Sequence, residues 1–274
     1  MDIGPRRRIV QGILADSLSR IRRFGTLGDS DFVTSVQDLP AKLRQWAHQL
    51  EDPSDVIPRP EIPDLGGYAL WAEHYDNLED NPVVAGEEEI IEELIGDVKG
   101  SKVLDVGCGT GRHAIPLAQK GAEVVGIEPT LQMLEKAKEK TRAQNLHLDL
   151  RHGFIDDLDP DLGPFDLVIC CLVLSHVENL DNAIQKIASR VTQGGRLIIT
   201  DFHPTNILIG FRTSLVSNEQ KYVVPNFLHP PSKYFQALRN GGLNVTAFHE
   251  RGSDPNLPGL PMALLMMAEK SSPT

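Results

Sequence analysis

Val103-Leu104-Asp105-Val106-Gly107-Cys108-Gly109-Thr110-Gly111, read together with Glu123-Val124-Val125-Gly126-Ile127-Glu128, decides the fold of this chain. An apolar strand runs into a turn of glycines. A helix is expected over 111–120, and a second apolar strand over 122–127 finishes on the carboxylate of Glu128. Strand, glycine turn, helix and acid-terminated strand make one β-α-β unit with a ligand seat at its first turn. Glycine takes positive φ at no steric cost, and a side chain at Gly107 or Gly109 is expected to obstruct a ligand lying on the backbone. Free N–H groups at the start of the helix are expected to point at that ligand.

The spacing narrows the ligand. Dinucleotide sites use Gly-x-Gly-x-x-Gly and set a pyrophosphate on the helix N-terminus. Here the glycines are Gly107, Gly109 and Gly111, with Asp105 two residues ahead of the first. An acid at the mouth of the seat suits a ligand that carries a cation and repels a pyrophosphate, which counts against a nicotinamide-dependent oxidoreductase. Glu128 sits where a carboxylate accepts hydrogen bonds from both hydroxyls of a ribose. The plain alternative is a tight βα turn that holds nothing.

Residues 103–111 resemble the first motif of the class I S-adenosylmethionine-dependent methyltransferases, and the resemblance runs over about 98–270. In that family the Asp105 position helps hold the methionine ammonium group. Backbone at Gly107, Cys108 and Gly109, with Gly111 closing the turn, lines the methionine part, and the Glu128 position binds the ribose. Val125 to Leu134 resembles the second segment, which packs on the adenine and here offers Pro129 and Met133. Phe165-Asp166-Leu167-Val168-Ile169 resembles the fourth strand, whose end brings Cys171 and Leu172 to the cofactor. Gln193-Gly194-Gly195-Arg196-Leu197-Ile198-Ile199 resembles the turn into the fifth. One stretch departs. Many relatives place Gly-Asp-Ala after the third strand, and here Gly153-Phe154-Ile155-Asp156 stands instead. With Phe154 in place of the acid, adenine recognition is expected from backbone N–H groups, Phe154, Ile155 and Asp156. The resemblance implies S-adenosyl-L-methionine as cofactor, S-adenosyl-L-homocysteine as product, and methyl transfer to an acceptor.

The rest of the pattern agrees with an α/β architecture. Strands are expected at 146–152, 166–172, 196–201, 243–250 and 262–268, and helices at 87–95, 131–143 and 181–191. Such alternation implies a mainly parallel sheet covered on both faces, with ligands gathering at the carboxyl ends of its strands. The resemblance adds a Rossmann-like, doubly wound sheet of seven strands whose last strand, Met262 to Met267, is antiparallel. A helical appendage and proline-rich linker are expected over 1–64 and the methyltransferase domain over 65–274, with a substrate lid at 202–235. In the appendage Ile9, Val10, Ile13, Leu14, Leu18 and Ile21 recur at helical spacing among arginines. That stripe suits a helix covering the core or a dimer mate. Its shortness and Asp16 count against a membrane surface.

Composition bounds the partners. A net charge of −11 over 274 residues argues against a general nucleic-acid surface and so against RNA as acceptor. Three cysteines without metal-ligand spacing fit a reducing, cytoplasmic setting. No apolar run reaches membrane-spanning length, no signal peptide is visible, and the nine histidines show no metal-site spacing.

Methyl transfer from a sulfonium needs mainly an aligned nucleophile and a base for its proton. His176, after the fourth strand, and His203, after the fifth, are the candidate bases, because histidine titrates near neutrality. Each also has a structural reading, as a cofactor-side residue or as a strand-end cap. Asp201 either orients a neighbour or ends its strand. Tyr75, in Trp71-Ala72-Glu73-His74-Tyr75-Asp76, either caps the methionine end or packs the appendage on the core. Phe202, Phe211, Tyr222, Phe227, His229 and Tyr234 gather in 202–235 although aromatics make up only 5% of the chain. They suit an apolar pocket for a small organic acceptor, or a lid packed on itself or on a dimer mate. Arg212 and Lys221 either bind an acidic acceptor or are solvated. The competing functions are a methyltransferase of protein or RNA and a binding subunit without turnover.

Overall fold

The computed structural model describes residues 66–271 apart from 77–80, 160, 209, 210, 218, 219, 255 and 256. The helical appendage expected over 1–64 lies outside the described residues. Five strands alternate with helices: β1 (Lys102–Val106), β2 (Glu123–Glu128), β3 (Asp149–His152), β4 (Phe165–Cys171) and β5 (Val191–Phe202). Helices α1 (Gly66–Trp71) and α2 (Pro82–Ile95) precede them, and α3 (Ala114–Gln119), α4 (Leu131–Ala143) and α5 (Leu180–Ser189) connect them. After β5 come α6 (Pro204–Leu208), the hairpin β6 (Thr213–Ser217) and β7 (Gln220–Val224), then α7 (Pro231–Asn240), β8 (Leu243–Asp254) and β9 (Leu257–Lys270).

The main sheet has seven strands in the order β3-β2-β1-β4-β5-β9-β8. β1 to β5 run parallel, and β9 lies antiparallel between β5 and β8. The antiparallel strand is therefore next to the edge rather than at it. The order reverses between β1 and β4, so connections leave in opposite directions and open a crevice at the carboxyl ends. Val106 pairs with Ile127 on one side and Cys170 on the other, which sets the ends of β1, β2 and β4 side by side.

Burial explains the unbroken apolar run of β1. Leu104 and Val106 join Val168, Cys170, Ile184, Ile187 and Leu238 in a core under α5 and α7. Val103 joins Ile91, Leu94, Leu117 and Leu134 in a second core under α2, α3 and α4. Strand side chains alternate, so Asp105 shares the face of Val103 and sits under the second layer. There it is only 2% exposed.

Three boundaries differ from expectation for local reasons. α2 starts at Pro82 rather than near Glu87, because the Asn81 side chain accepts the N–H groups of Val83 and Val84 and proline suits the first turn. α3 starts at Ala114, because Gly109 and Gly111 hold positive φ (54° and 86°) and keep the chain in a turn. The lid expected over 202–235 ends earlier, since α7 begins at Pro231 and carries Tyr234 into the core. The hairpin packs on α1 at Gly67, where an added Cβ would lie 2.7 Å from Val224 Cγ2. No helix among the described residues is long and apolar enough to cross a membrane.

Candidate cofactor site

The carboxyl ends of β1, β2 and β4 enclose a cavity of about 90 Å³ roofed by the segment from α1 to Tyr75. Tyr75, Gly107, Gly109, Glu128, Pro129, Met133, Cys171, Leu172 and His176 all lie on its wall, joined by Tyr68, Thr130 and Val173. Leu172 adopts φ +59°, a left-handed conformation costing a non-glycine residue about 1 kcal/mol or more. Its N–H is held by the Thr200 carbonyl at 2.9 Å.

The three glycines serve different ends. A Cβ at Gly107 would meet Val173 Cγ2 at 2.3 Å, so this glycine admits the loop after β4 rather than a ligand. A Cβ at Gly111 would meet Ile115 Cδ1 at 2.9 Å. Gly109 alone of the three faces open space. The expected free N–H groups are also spent. Those of Gly107 and Cys108 go to the Ile127 carbonyl at 2.8 and 3.0 Å, and that of Gly111 to the Cys108 carbonyl at 2.8 Å. The Cys108 side chain lies in the core beneath the turn, against Gly126.

Glu128 is the carboxylate on the cavity wall, whereas Asp105, expected there too, is buried within β1 off the wall and close enough to feel the charge of Glu128. Glu128 accepts from the Gly109 N–H at 2.9 Å through Oε2 and from the Thr130 N–H at 2.8 Å through Oε1. These bonds fix its rotamer and leave each oxygen a second lone pair. Burial raises its carboxyl above the ordinary value, while the two N–H groups pull it back. Asp105 is pushed up to about 6 by burial and by the charge of Glu128, against the pull of His113 and Arg112. It accepts a hydrogen bond from the backbone of Ala114, and its Oδ2 is buried without a partner. A buried carboxylate oxygen left unpaired costs free energy that an incoming cation would recover.

Sequence reasoning missed the group that braces this region. Glu87 on α2 is fully buried, though its Glu-Glu-Glu run has the look of a solvated face. Its Oε1 accepts from His113 Nε2 at 3.0 Å and Thr200 Oγ1 at 2.8 Å, and its Oε2 forms an ion pair with Arg112 Nη2 at 2.6 Å. Burial alone would raise its carboxyl, but these partners together hold it at about 2. The available signal was the Arg112-His113 pair, two donors directly after the glycine turn with no nearby acid. Glu87, His113 and Cys171 also bring possible metal-ligand atoms within 4.8 Å of one another, which spacing did not foretell. With Glu87 already neutralised by Arg112 and bonded by the His113 N–H, the set is a hydrogen-bond brace.

The two histidines part company. His176 Nδ1 lies 2.7 Å from the Pro225 carbonyl and its Nε2 2.8 Å from the Tyr68 hydroxyl. Burial lowers its basicity, partly offset by that carbonyl, so it stays neutral. His203 is not on the wall. Its Nε2 is 2.8 Å from Glu250 Oε1 and its Nδ1 accepts the Thr205 N–H at 3.3 Å. Both nitrogens are engaged where the chain turns from β5 into α6, which is the strand-end cap and leaves no lone pair for a substrate. Asp201 orients neighbours. It accepts the Tyr234 hydroxyl at 2.7 Å and both hydrogen-bonding groups of Ser175, fastening the loop that carries His176. Burial pushes its carboxyl up to about 6 despite those bonds.

Other expected contacts turn elsewhere. Asp156 is exposed and held by Asn182 Nδ2 at 2.7 Å and Lys186 Nζ at 3.0 Å, and Ile155 packs on the core under α5. Phe154 is not on the cavity wall and is 45% exposed beside His152. Three of the lid aromatics lie against one another, His229 meeting Phe227 with ring centroids 6.4 Å apart and Tyr234 at 6.2 Å. Tyr234 is buried on Asp201, and His229 Nε2 meets the Val177 carbonyl at 2.7 Å. Arg212 is spent on the carbonyls of Ile207 and Phe211. The Lys221 side chain lies outside the described residues.

The comparisons with known proteins fall on this same region. Residues 103–195 match a family model described as a methyltransferase domain. A ubiquinone biosynthesis O-methyltransferase of Maricaulis maris is 31% identical over 157 residues, 54% of this chain and 61% of that protein. The enzyme so named from Rickettsia conorii is 29% identical over 55% of this chain and 52% of that protein. The chain thus spans between half and two thirds of these relatives. An S-adenosylmethionine-dependent methyltransferase from Clostridium acetobutylicum superposes with a TM-score of 0.58 at 18% identity, covering 75% of this chain and 99% of that one. One from Mesorhizobium loti gives 0.56 at 19%, covering 67% and 97%. Residues 103–195 thus match a methyltransferase domain, and the described chain shares its fold with the S-adenosylmethionine-dependent methyltransferases on which it superposes.

Proposed function

We propose that this chain is an S-adenosylmethionine-dependent methyltransferase acting in the cytoplasm on a small organic acceptor, a phenol- or quinone-like compound methylated at oxygen before nitrogen or carbon. The observation that carries the reading is Glu128 on the cavity wall, its rotamer fixed by the Gly109 and Thr130 N–H groups, with the unpartnered Oδ2 of buried Asp105 within reach of its charge. One oxygen awaits a cation, and the other carboxylate has lone pairs left for a diol. S-adenosylmethionine, when bound, supplies an electrophilic methyl group on a sulfonium. Asp105 would take its ammonium group and Glu128 its ribose hydroxyls, with Pro129 and Met133 beside the nucleoside.

An acceptor with an acidic hydroxyl asks least of the protein, because it ionises readily. That favours the oxygen chemistry named for the relatives from Maricaulis maris and Rickettsia conorii. The charge of −11 disfavours an RNA acceptor. A homodimer rests on the N-terminal sequence stripe alone. Calorimetry with S-adenosylmethionine, S-adenosylhomocysteine and NAD tests the cofactor, and the reading fails if NAD alone binds. Methyl incorporation into a panel of catechols separates an enzyme from a binding subunit, which would bind the cofactor without turnover.

A further inference from the structure

Tyr68 and His176 form a hydrogen-bonded pair on the cavity wall. The carbonyl of Pro225 has no proton to give, so His176 Nδ1, 2.7 Å away, carries the hydrogen of that bond. A neutral imidazole then has a bare Nε2, which accepts the Tyr68 hydroxyl at 2.8 Å. The phenol hydrogen is thereby committed to His176, and the lone pairs of Tyr68 Oη accept no hydrogen bond from the described residues. Tyr68 is held firmly for this. Its neighbour Gly67 packs on Val224 and Leu215 of the hairpin, and its ring lies edge-on to His176 with centroids 5.3 Å apart. Tyr75 adds a second ring 6.3 Å from the first. Among the described residues the wall carries no lysine or arginine, and Glu128 is its only formally charged side chain.

Resting on the reading of this cavity as an adenosylmethionine site, we propose that Tyr68, oriented by His176, is a specificity residue that recognises the positive sulfonium and so distinguishes cofactor from product. The two ligands share amino acid, ribose and purine and differ in the charged methyl-sulfonium. An oxygen that presents lone pairs, beside aromatic faces, stabilises the charged form and gains nothing from the thioether. His176 is the positioning residue. Rotation of the Tyr68 hydroxyl would otherwise set its hydrogen against the cation.

The test is calorimetric titration of the full chain with S-adenosylmethionine, S-adenosylhomocysteine and sinefungin, which carries an ammonium in place of the methyl-sulfonium. Tyr68→Phe is expected to lower the preference for S-adenosylmethionine over S-adenosylhomocysteine by roughly three- to tenfold. Sinefungin should follow the charged ligand, and affinity for S-adenosylhomocysteine should stay within about twofold. His176→Leu, which leaves the Tyr68 ring in place, should produce the same loss of preference. His176→Gln keeps an acceptor for Tyr68 and a donor for Pro225, and should restore it. A preference unchanged in both Tyr68→Phe and His176→Leu, or affinities for the two ligands falling by one factor, overturns the proposal while leaving the cofactor site standing. Should Tyr68→Phe fail to fold, His176→Leu decides. If wild-type protein binds neither ligand, the reading of the cavity falls and this proposal with it.

Discussion

Asp105→Asn is expected to make the ligand-free protein more stable and the cofactor site inactive. Burial holds the Asp105 carboxyl at about 6 in the folded chain, against 3.8 in the unfolded one. A raised carboxyl works against folding wherever it is ionised. Each pKa unit is about 1.4 kcal/mol, so ionised Asp105 costs the folded state up to about 3 kcal/mol near neutral pH. Asparagine has the same shape, keeps an acceptor for the Ala114 backbone, and carries no charge. A gain of about 1–3 kcal/mol at about pH 7 should follow, shrinking as the pH falls through 6 toward 4 and Asp105 itself takes up a proton. Urea unfolding at several pH values reads the gain, and calorimetry with S-adenosylmethionine should show binding lost, because the amide presents N–H to an ammonium. A variant less stable than wild type at neutral pH would refute the reasoning. It would mean that Arg112 and His113 already neutralise this carboxylate without a ligand.

Three further outcomes follow from the same geometry. Glu128→Ala should weaken S-adenosylmethionine binding by about 1–3 kcal/mol in calorimetry, the worth of two ribose hydrogen bonds, and unchanged affinity would remove Glu128 from the site. Glu87→Ala should destabilise the fold by about 2–4 kcal/mol in denaturant, since it leaves the partly buried Arg112 and the Thr200 hydroxyl without their acceptor. Because the Glu87 pKa is lowered from 4.5 to about 2, its stabilisation is full above pH 4.5 and is lost as the pH falls toward 2, a loss the variant's own acid titration should lack. Gly107→Ala should lower the thermal midpoint well beyond Gly109→Ala, because its Cβ would press on Val173. Gly109→Ala, whose Cβ faces open space at φ +54°, should act more on S-adenosylmethionine binding.

The strands, the crossover helices and the acid at the end of β2 are legible in the chain, because each rests on local pattern. Apolar runs bounded by glycine make buried strands, and periodic apolar stripes make covering helices. The sequence by itself thus determined the doubly wound sheet and the meeting of Gly109 with Glu128 at the carboxyl ends of β1 and β2. What lay beyond it depends on distant groups meeting. The separation of His176 from His203 was decided by Pro225 and Glu250, each more than 45 residues from its partner. Tyr68 reaches His176 across 108 positions. Glu87 becomes a buried anion because α2 lies on β5 and on the turn after β1, where Thr200, Arg112 and His113 converge. Gly107 resembles its glycine neighbours in sequence and differs only through Val173, brought against it by the pairing of β1 with β4. Side-chain protonation and free lone pairs are set by what lies within about 3 Å, and in a folded chain only tertiary packing fixes those neighbours.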